Sequence, residues 1–487
     1  MDSDRSRQAA IGPGVLGRAV STRSSSIDIW HRTGFGNGLV CSERQPRARP
    51  ATNLAVVYAR CVKHMRWALC LVAAALACAC KPETRQPPSS GSATARPVPA
   101  TPADALGPVI DAASARTWYR VVVREPPYEV PFFLALPDSE ADEHVIIANG
   151  SERLEIDAKR RADHVRVDFG VAGTALELDL HGERVEGTWL ADHTLRGNFP
   201  VSGTRVAEPD PQLRYPAAAP AAVDVSGVWD LDIEKSGPAK ARLEQRADGI
   251  LEGTINDREI GDWRFLAGRV TGHKLALSTF DGLRAFSIEA TVDKDGRTLT
   301  HGIAHYPGWS HAAFHGKKAA GGELGTEQTG RMKPARTHVT LRELDDPGLR
   351  GKAVIVDLFG TWCAACWDMT PFLVDRYNRH RAAGLEVIAV AIEPFDEAYS
   401  LERIAALRSR YKVTFPISLR VMKTDSVVDQ LPPELDQVSG LPVTLFIDRR
   451  GTVRAVHTGF IGPASKVDHA RQTEMFDRLI DEILRSD

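Results

Sequence analysis

The chain has 487 residues, 43% of them hydrophobic and 25% charged, and a formal net charge of −2. Such a length suggests about two to four domains, and the near-neutral balance excludes a protein that works by blanketing phosphate backbones, so no nucleic-acid partner is expected. No run of roughly 20 apolar residues occurs, so no conventional membrane span is expected either.

Residues 1–64 are rich in Arg, Ser and Gly and show no hydrophobic periodicity, so they are assigned no fold, or no part in the native protein. Met65-Arg66 then leads into the apolar stretch 67–77, which ends in small residues beside Cys78 and Cys80. A short basic region followed by an apolar one is the layout of an export signal. A signal belongs near a true N-terminus, so translation is expected to start at Met65, or at Val62 through an alternative codon. The small-residue-then-Cys ending resembles a bacterial lipoprotein signal. That resemblance implies lipidation of Cys78, with Cys80 the alternative, although Leu76 stands one position nearer the cysteine than the pattern has it. An ordinary cleaved signal, or a signal anchor, is the competing reading. Residues 81–104, rich in Pro, Ser, Thr and Ala, read as a disordered tether that would hold a folded body off a membrane surface.

From 115 to 320 short strand-like stretches recur, at 118–123, 130–136, 164–169, 176–180, 228–233 and 275–278. Asn149-Gly150, Asp248-Gly249, Asp281-Gly282 and Asp295-Gly296 supply turns between them. This predicts an antiparallel β region, sandwich or barrel. The order of strand and turn in 165–189 is echoed in 275–303. Two related modules, 115–214 and 223–320, split near 215–222, and one closed barrel across both are equally compatible with that echo. Trp189, Trp229, Trp263 and Trp309 read as packing residues. His301, His305, His311 and His315 fall close together, but Gly302, Pro307, Gly308 and Gly316 argue against a helix there, and no Cys or acidic pair nearby completes a ligand set, so no metal is expected.

Past the Gly-rich 320–330 the pattern changes to an α/β domain over 331–487. Residues 354–359 form a near-continuous apolar run, as a buried central strand requires. Cys363-Ala364-Ala365-Cys366 follows and opens a helix to about 381. A second buried strand spans 386–392, and a helix spans Glu397–Tyr411. A strand pair at 441–448 and Val453–Thr458 and a closing amphipathic helix at 467–484 complete a βαβα-ββα order. The chain holds seven cysteines, and beyond Lys81 only Cys363 and Cys366 remain. With no second C-x-x-C and no nearby His pair, zinc is a poor reading and redox chemistry a good one.

Gly360-Thr361-Trp362-Cys363-Ala364-Ala365-Cys366, Pro371 and Gly440-Leu441-Pro442 resemble the TlpA/ResA-like thiol–disulfide oxidoreductases, extracytoplasmic relatives of thioredoxin, over about 340–487. Residues 265–268 and 277–282 resemble the β domain preceding the redox domain in some TlpA-like lipoproteins. The resemblance implies a multidomain chain, antiparallel β domain or domains followed by a thioredoxin fold. It implies Cys363 as the nucleophile, favoured as thiolate at a helix N-terminus, and Cys366 as the resolving thiol. By the same resemblance Asp357 is expected to be the buried acid that helps deprotonate the resolving cysteine, and its bland alternative is a hydrogen-bonded structural Asp. Pro442 is the cis-proline facing the sulfurs, with Leu441 offering backbone to an extended substrate and Trp362 shielding the disulfide.

Two departures stand out: ResA-like proteins carry Glu three residues after the second Cys, where this chain has Met369 with Asp368 beside it, and the dipeptide between the cysteines is Ala-Ala. Glu393 is a further acid near the site. No dissociable cofactor is implied, because the redox centre is the cysteine pair. The expected activity is reduction of disulfides in exported proteins, apocytochrome c included by resemblance, with electrons from a membrane thiol carrier, in the periplasmic side of the envelope and on a lipid anchor. The alternatives are a disulfide-forming oxidant, a peroxidase whose characteristic Pro and Thr are missing ahead of Cys363, and an envelope-binding lipoprotein with a regulatory redox domain.

Overall fold

The computed structural model describes residues 116–487 apart from 191–196, 235, 258–260, 309, 325–329, 425, 439 and 487. The export signal, Cys78, the tether and Trp309 lie outside the described residues. No helix among the described residues is long and apolar enough to cross a membrane.

Eight antiparallel strands close the first barrel: β1 (Arg116–Glu125), β2 (Tyr128–Pro137), β3 (His144–Asn149), β4 (Glu152–Arg161), β5 (His164–Phe169), β6 (Thr174–His181), β7 (Arg184–Leu190) and β8 (Phe199–Val206). β8 returns to pair with β1, Val123 opposite Val201. Strict alternation drives closure. In β5, Val165, Val167 and Phe169 are buried while His164 and Asp168 are exposed, so one face must be covered and the other wetted. Closing the sheet on itself buries that face and leaves no unpaired edge.

A short helix, α1 (Pro211–Arg214), leads to a second closed barrel of β9 (Gly227–Ile233), β10 (Gly237–Gln245), β11 (Ile250–Asn256), β12 (Leu266–Thr271), β13 (Lys274–Phe280), β14 (Ala285–Val292), β15 (Thr298–Tyr306) and β16 (Ser310–Lys318). β16 pairs back to β9, Phe314 opposite Ile233. The stretches that echo each other in sequence are the fifth to seventh strands of the two barrels, β5–β7 and β13–β15.

The barrels are fused rather than strung together. Phe280 leaves the second barrel and stacks on Phe132 of the first, ring centroids 4.3 Å apart, with Trp189 edge-on at 5.2 Å. Full burial of such a ring contributes about 1.5–3 kcal/mol. Asn149 exchanges two hydrogen bonds with the Phe280 backbone. The buried Arg214 of α1 donates to Ser278 and to Asn149. Gly282, in the turn after β13, has φ +89°, and a Cβ there would sit 2.1 Å from the Phe169 ring, so only glycine lets the barrels meet.

The C-terminal sheet has β17 (Ala353–Phe359) at its centre, flanked by parallel β18 (Leu385–Glu393) and then β19 (Ile417–Val421) on one side. Antiparallel β20 (Val443–Ile447) and β21 (Val453–Thr458) lie on the other. Helices α2 (Ala364–His380), α3 (Glu397–Tyr411) and α4 (Val467–Arg485) cover it. Every residue of β17 is buried. Ile355 and Phe359 join the core that holds α2 and α4, whereas Val354, Val356 and Leu358 face the opposite core. One strand of this five-stranded sheet is absent from the predicted order: β19, whose Ile-Ser-Leu-Arg-Val at the sheet margin, half-buried except for the exposed Val421, carries a weak periodic signal.

The first barrel and the redox domain share one contiguous apolar core that includes Phe169, Val171, Phe280, Cys363 and Cys366. The β region and the redox domain are therefore packed against each other.

Candidate active site

Cys363 is the N-cap of α2, and its Sγ accepts from the Cys366 N–H at 3.2 Å. The first turn of a helix leaves its N–H groups without intrahelical partners, so a sulfur placed there meets donors and the positive end of the dipole. Cys363 and Cys366 form a disulfide, S–S 2.07 Å. Cys363 is 8% exposed and Cys366 is wholly buried, so the first sulfur is the accessible one. A three-residue helical step puts both on one face. Pro371 lies inside α2.

Asp357 sits in β17 on the same face as Ile355 and Phe359, towards α2, because side chains alternate along a strand. Its Oδ1 has no hydrogen-bond partner among the described residues, and burial alone pushes its pKa up to about 7. The Leu441–Pro442 bond is cis. Val443 pairs with Leu358, so Pro442 stands at the carboxyl end of β17, where the chain turns into Gly360–Cys363. Trp362 is half-buried and donates through Nε1 to the Ile392 carbonyl at 2.9 Å. Cys363, Cys366, Trp362 and Leu441 meet in the same apolar cluster.

The acids flagged beside this motif do different jobs. Met369 is buried, its Sδ 4.0 Å from the Thr444 hydroxyl, so the position of the family's Glu is apolar here. Glu393 clamps the loop before the cysteines, accepting from the Thr361 N–H at 2.7 Å and the Thr361 hydroxyl at 2.8 Å. Burial raises its pKa to about 7 against those hydrogen bonds and the charge of Arg403. Arg403 of α3 donates to the same hydroxyl at 2.8 Å and to the Ala172 carbonyl of the first barrel, also at 2.8 Å.

Asp368 turns away from the sulfurs to Arg264 of the second barrel, 2.5 Å from Nη1. Arg264 also holds Glu152 of the first barrel, Nε to Oε1 2.6 Å. It has φ +63°, a conformation costly for a residue with a side chain, and its N–H is held by Asp262 at 2.6 Å. Asp262 in turn accepts from the Gly462 N–H at 2.5 Å. A Cβ on Gly261 would lie 3.4 Å from that of Ala365, so this loop rests on the dipeptide between the cysteines.

Sequence reading gives Thr361 no role beyond the motif and does not single out Arg403, Arg264 or Asp262. The partners that tie them to other domains lie from 104 to 231 residues away, and no local pattern signals such pairings.

The helix-capping disulfide, the buried acid on the same sheet face and the cis-proline at the end of the central strand together define a dithiol–disulfide domain of the thioredoxin kind. A family model described as AhpC/TSA family matches residues 329–456. The thiol-disulfide oxidoreductase ResA of Geobacillus kaustophilus is 33% identical over 111 residues, 23% of this chain and 56% of that protein. ResA of Bacillus subtilis is 33% identical over 118 residues, 24% of this chain and 58% of that one. A solved thioredoxin-family thiol:disulfide interchange protein from Chlorobium tepidum is 24% identical, covering 32% of this chain and 97% of that chain, with TM-score 0.23. The chain spans a little over half the length of the ResA proteins it matches. Its C-terminal domain is similar to the TlpA/ResA-like proteins of the thioredoxin superfamily.

Proposed function

We propose that this protein is an extracytoplasmic thiol–disulfide oxidoreductase that reduces disulfides in exported proteins. The observation that carries the reading is the Cys363–Cys366 disulfide capping α2, with the first sulfur the more accessible. In the reduced enzyme the Cys363 thiolate attacks one sulfur of a substrate disulfide. The substrate's other sulfur leaves as a thiolate and takes a proton. The Cys366 thiolate then attacks Cys363 Sγ, the substrate departs as a dithiol, and the enzyme is left oxidised. Two electrons from a membrane dithiol carrier restore it. Cytochrome c precursors with paired cysteines are one substrate class, and a lipid on Cys78 would keep the enzyme beside the carrier. Because Gly261 rests on Ala365 and the first barrel shares an apolar core with the cysteines, a protein substrate is admitted only as these contacts part.

The reductase direction is tested by the Cys363–Cys366 potential, measured by equilibration with glutathione buffers. A reducing value, well below that of the strong oxidants, is expected. A value near about −120 mV would make the protein a disulfide donor instead.

Asp357 is assigned the proton of the Cys366 thiol. A carboxyl with a pKa of about 7 takes and returns a proton at neutral pH. Asp357→Asn should slow release of the mixed disulfide on the order of 10²-fold at pH 7, while Cys363 attack is unchanged. Equal slowing of both steps would refute the role. The same burial predicts a pH dependence of stability. Asp357 and Glu393 both titrate near 7 when folded and near 4 when unfolded. The folded state therefore holds more protons between those values, and stability falls as pH rises from about 4 to about 7, then levels off. Denaturant titrations across that range should show a shallower fall for Asp357→Asn and for Glu393→Gln.

A further inference from the structure

We propose that Glu125, His305 and His311 form a binding site for a divalent transition-metal ion of the zinc type, held between the two barrels. The site is independent of the redox centre.

His305 and His311 are directly opposed across the β15–β16 hairpin, so their side chains leave the same face of the ladder as neighbours. Their rings lie side by side, 13° from parallel, with the two Nδ1 atoms 2.7 Å apart. Tyr128 of the first barrel stacks on both, at 4.4 Å and 4.7 Å, and fixes their planes. Glu125, at the end of β1, brings Oε2 to 3.7 Å from His305 Nε2. Its carboxylate is oriented by the Gly308 N–H at 3.1 Å. One ligand atom from each of the three residues falls within 4.8 Å of the others.

The pair already satisfies one nitrogen of each ring, an Nδ1–H on one imidazole donating to Nδ1 of the other. That leaves His305 Nε2, in a side chain only 1% exposed, with no hydrogen-bond partner among the described residues. A buried polar atom left so bears an uncompensated desolvation cost, which a ligand would relieve. Two imidazoles and one carboxylate are the donor set of open zinc sites. His311 is exposed and Glu125 half-buried, so a fourth position opens to solvent. With His305 Nε2 as one ligand, the exposed His311 gives up the Nδ1···Nδ1 hydrogen bond and rotates to bring a ring nitrogen to the ion.

The test uses the full chain, oxidised so that Cys363 and Cys366 stay closed, and alkylated so that Cys41, Cys61, Cys70, Cys78 and Cys80 do not compete. Zinc is titrated against a chromophoric chelator, and cobalt is followed by its visible bands. One ion per chain is expected, with a higher thermal midpoint when loaded because the ion binds only the folded state. His311→Ala and Glu125→Gln, both at solvent-reachable positions, should each weaken zinc binding at least tenfold, and His301→Ala should leave it unchanged. Absence of a stoichiometric site, or equal affinity in the His311→Ala and Glu125→Gln proteins, overturns the proposal.

Discussion

Replacing Cys363 by serine is expected to abolish disulfide exchange, and replacing Cys366 to arrest it at a covalent complex. The asymmetry follows from position. Cys363 caps α2, where unpaired N–H groups favour sulfur carrying charge, and its Sγ is the one with any exposure. Cys366 is wholly buried one step along the helix and reaches only what is bonded to Cys363. No other cysteine occurs beyond Lys81, so none substitutes. The loss in Cys363→Ser is expected to be on the order of 10³-fold or more, the chemistry having no remaining nucleophile. Cys366→Ser should instead accumulate a mixed disulfide, visible on a non-reducing gel and removed by dithiothreitol. Turnover by Cys363→Ser, or a trapped adduct in that variant, would overturn the assignment.

Arg264→Ala should be among the most destabilising single changes in the protein, costing about 3–5 kcal/mol. Arg264 is the shared counterion of Glu152 and Asp368, whose side chains are 4% and 3% exposed. Burial, and after it the nearby Asp368 charge, pushes the Asp262 carboxyl upward. Removing the guanidinium leaves buried like charges where the barrels meet the redox domain. The sign of the pH effect separates this from lost packing. Without Arg264 the carboxyls hold protons more tightly when folded than when unfolded, so the variant's deficit should shrink as pH falls towards the ordinary carboxylate range. Arg264→Lys should recover part of the loss, since one ammonium cannot reproduce two directed contacts. Urea midpoints at pH 5 and pH 8 check this. A deficit independent of pH would assign the effect to packing.

Much of the redox domain was readable before any coordinates. Glu397–Tyr411 and Val453–Thr458 are observed with the expected bounds, and α2 and α4 differ from theirs by a residue or two. Long apolar runs, helical periodicity and the C-x-x-C spacing are local signals. β19 was missed because a strand at the sheet margin, half-buried along its length, has no run and little alternation. In the β region His164–Phe169 alternates cleanly and was read as a strand. Closure into barrels was not readable, since pairing β8 to β1 and β16 to β9 joins strands about 80 residues apart.

The sequence by itself determined the thiol pair, the helix it opens and the buried strand that carries Asp357, because each depends on residues a few positions apart. Tertiary structure alone decided that the first barrel shares an apolar core with those thiols, that Arg264 joins three bodies, and that Glu125 comes within reach of a histidine pair 180 residues later. Those outcomes rest on burial and charge pairing between distant segments, which exist only once the chain has closed on itself.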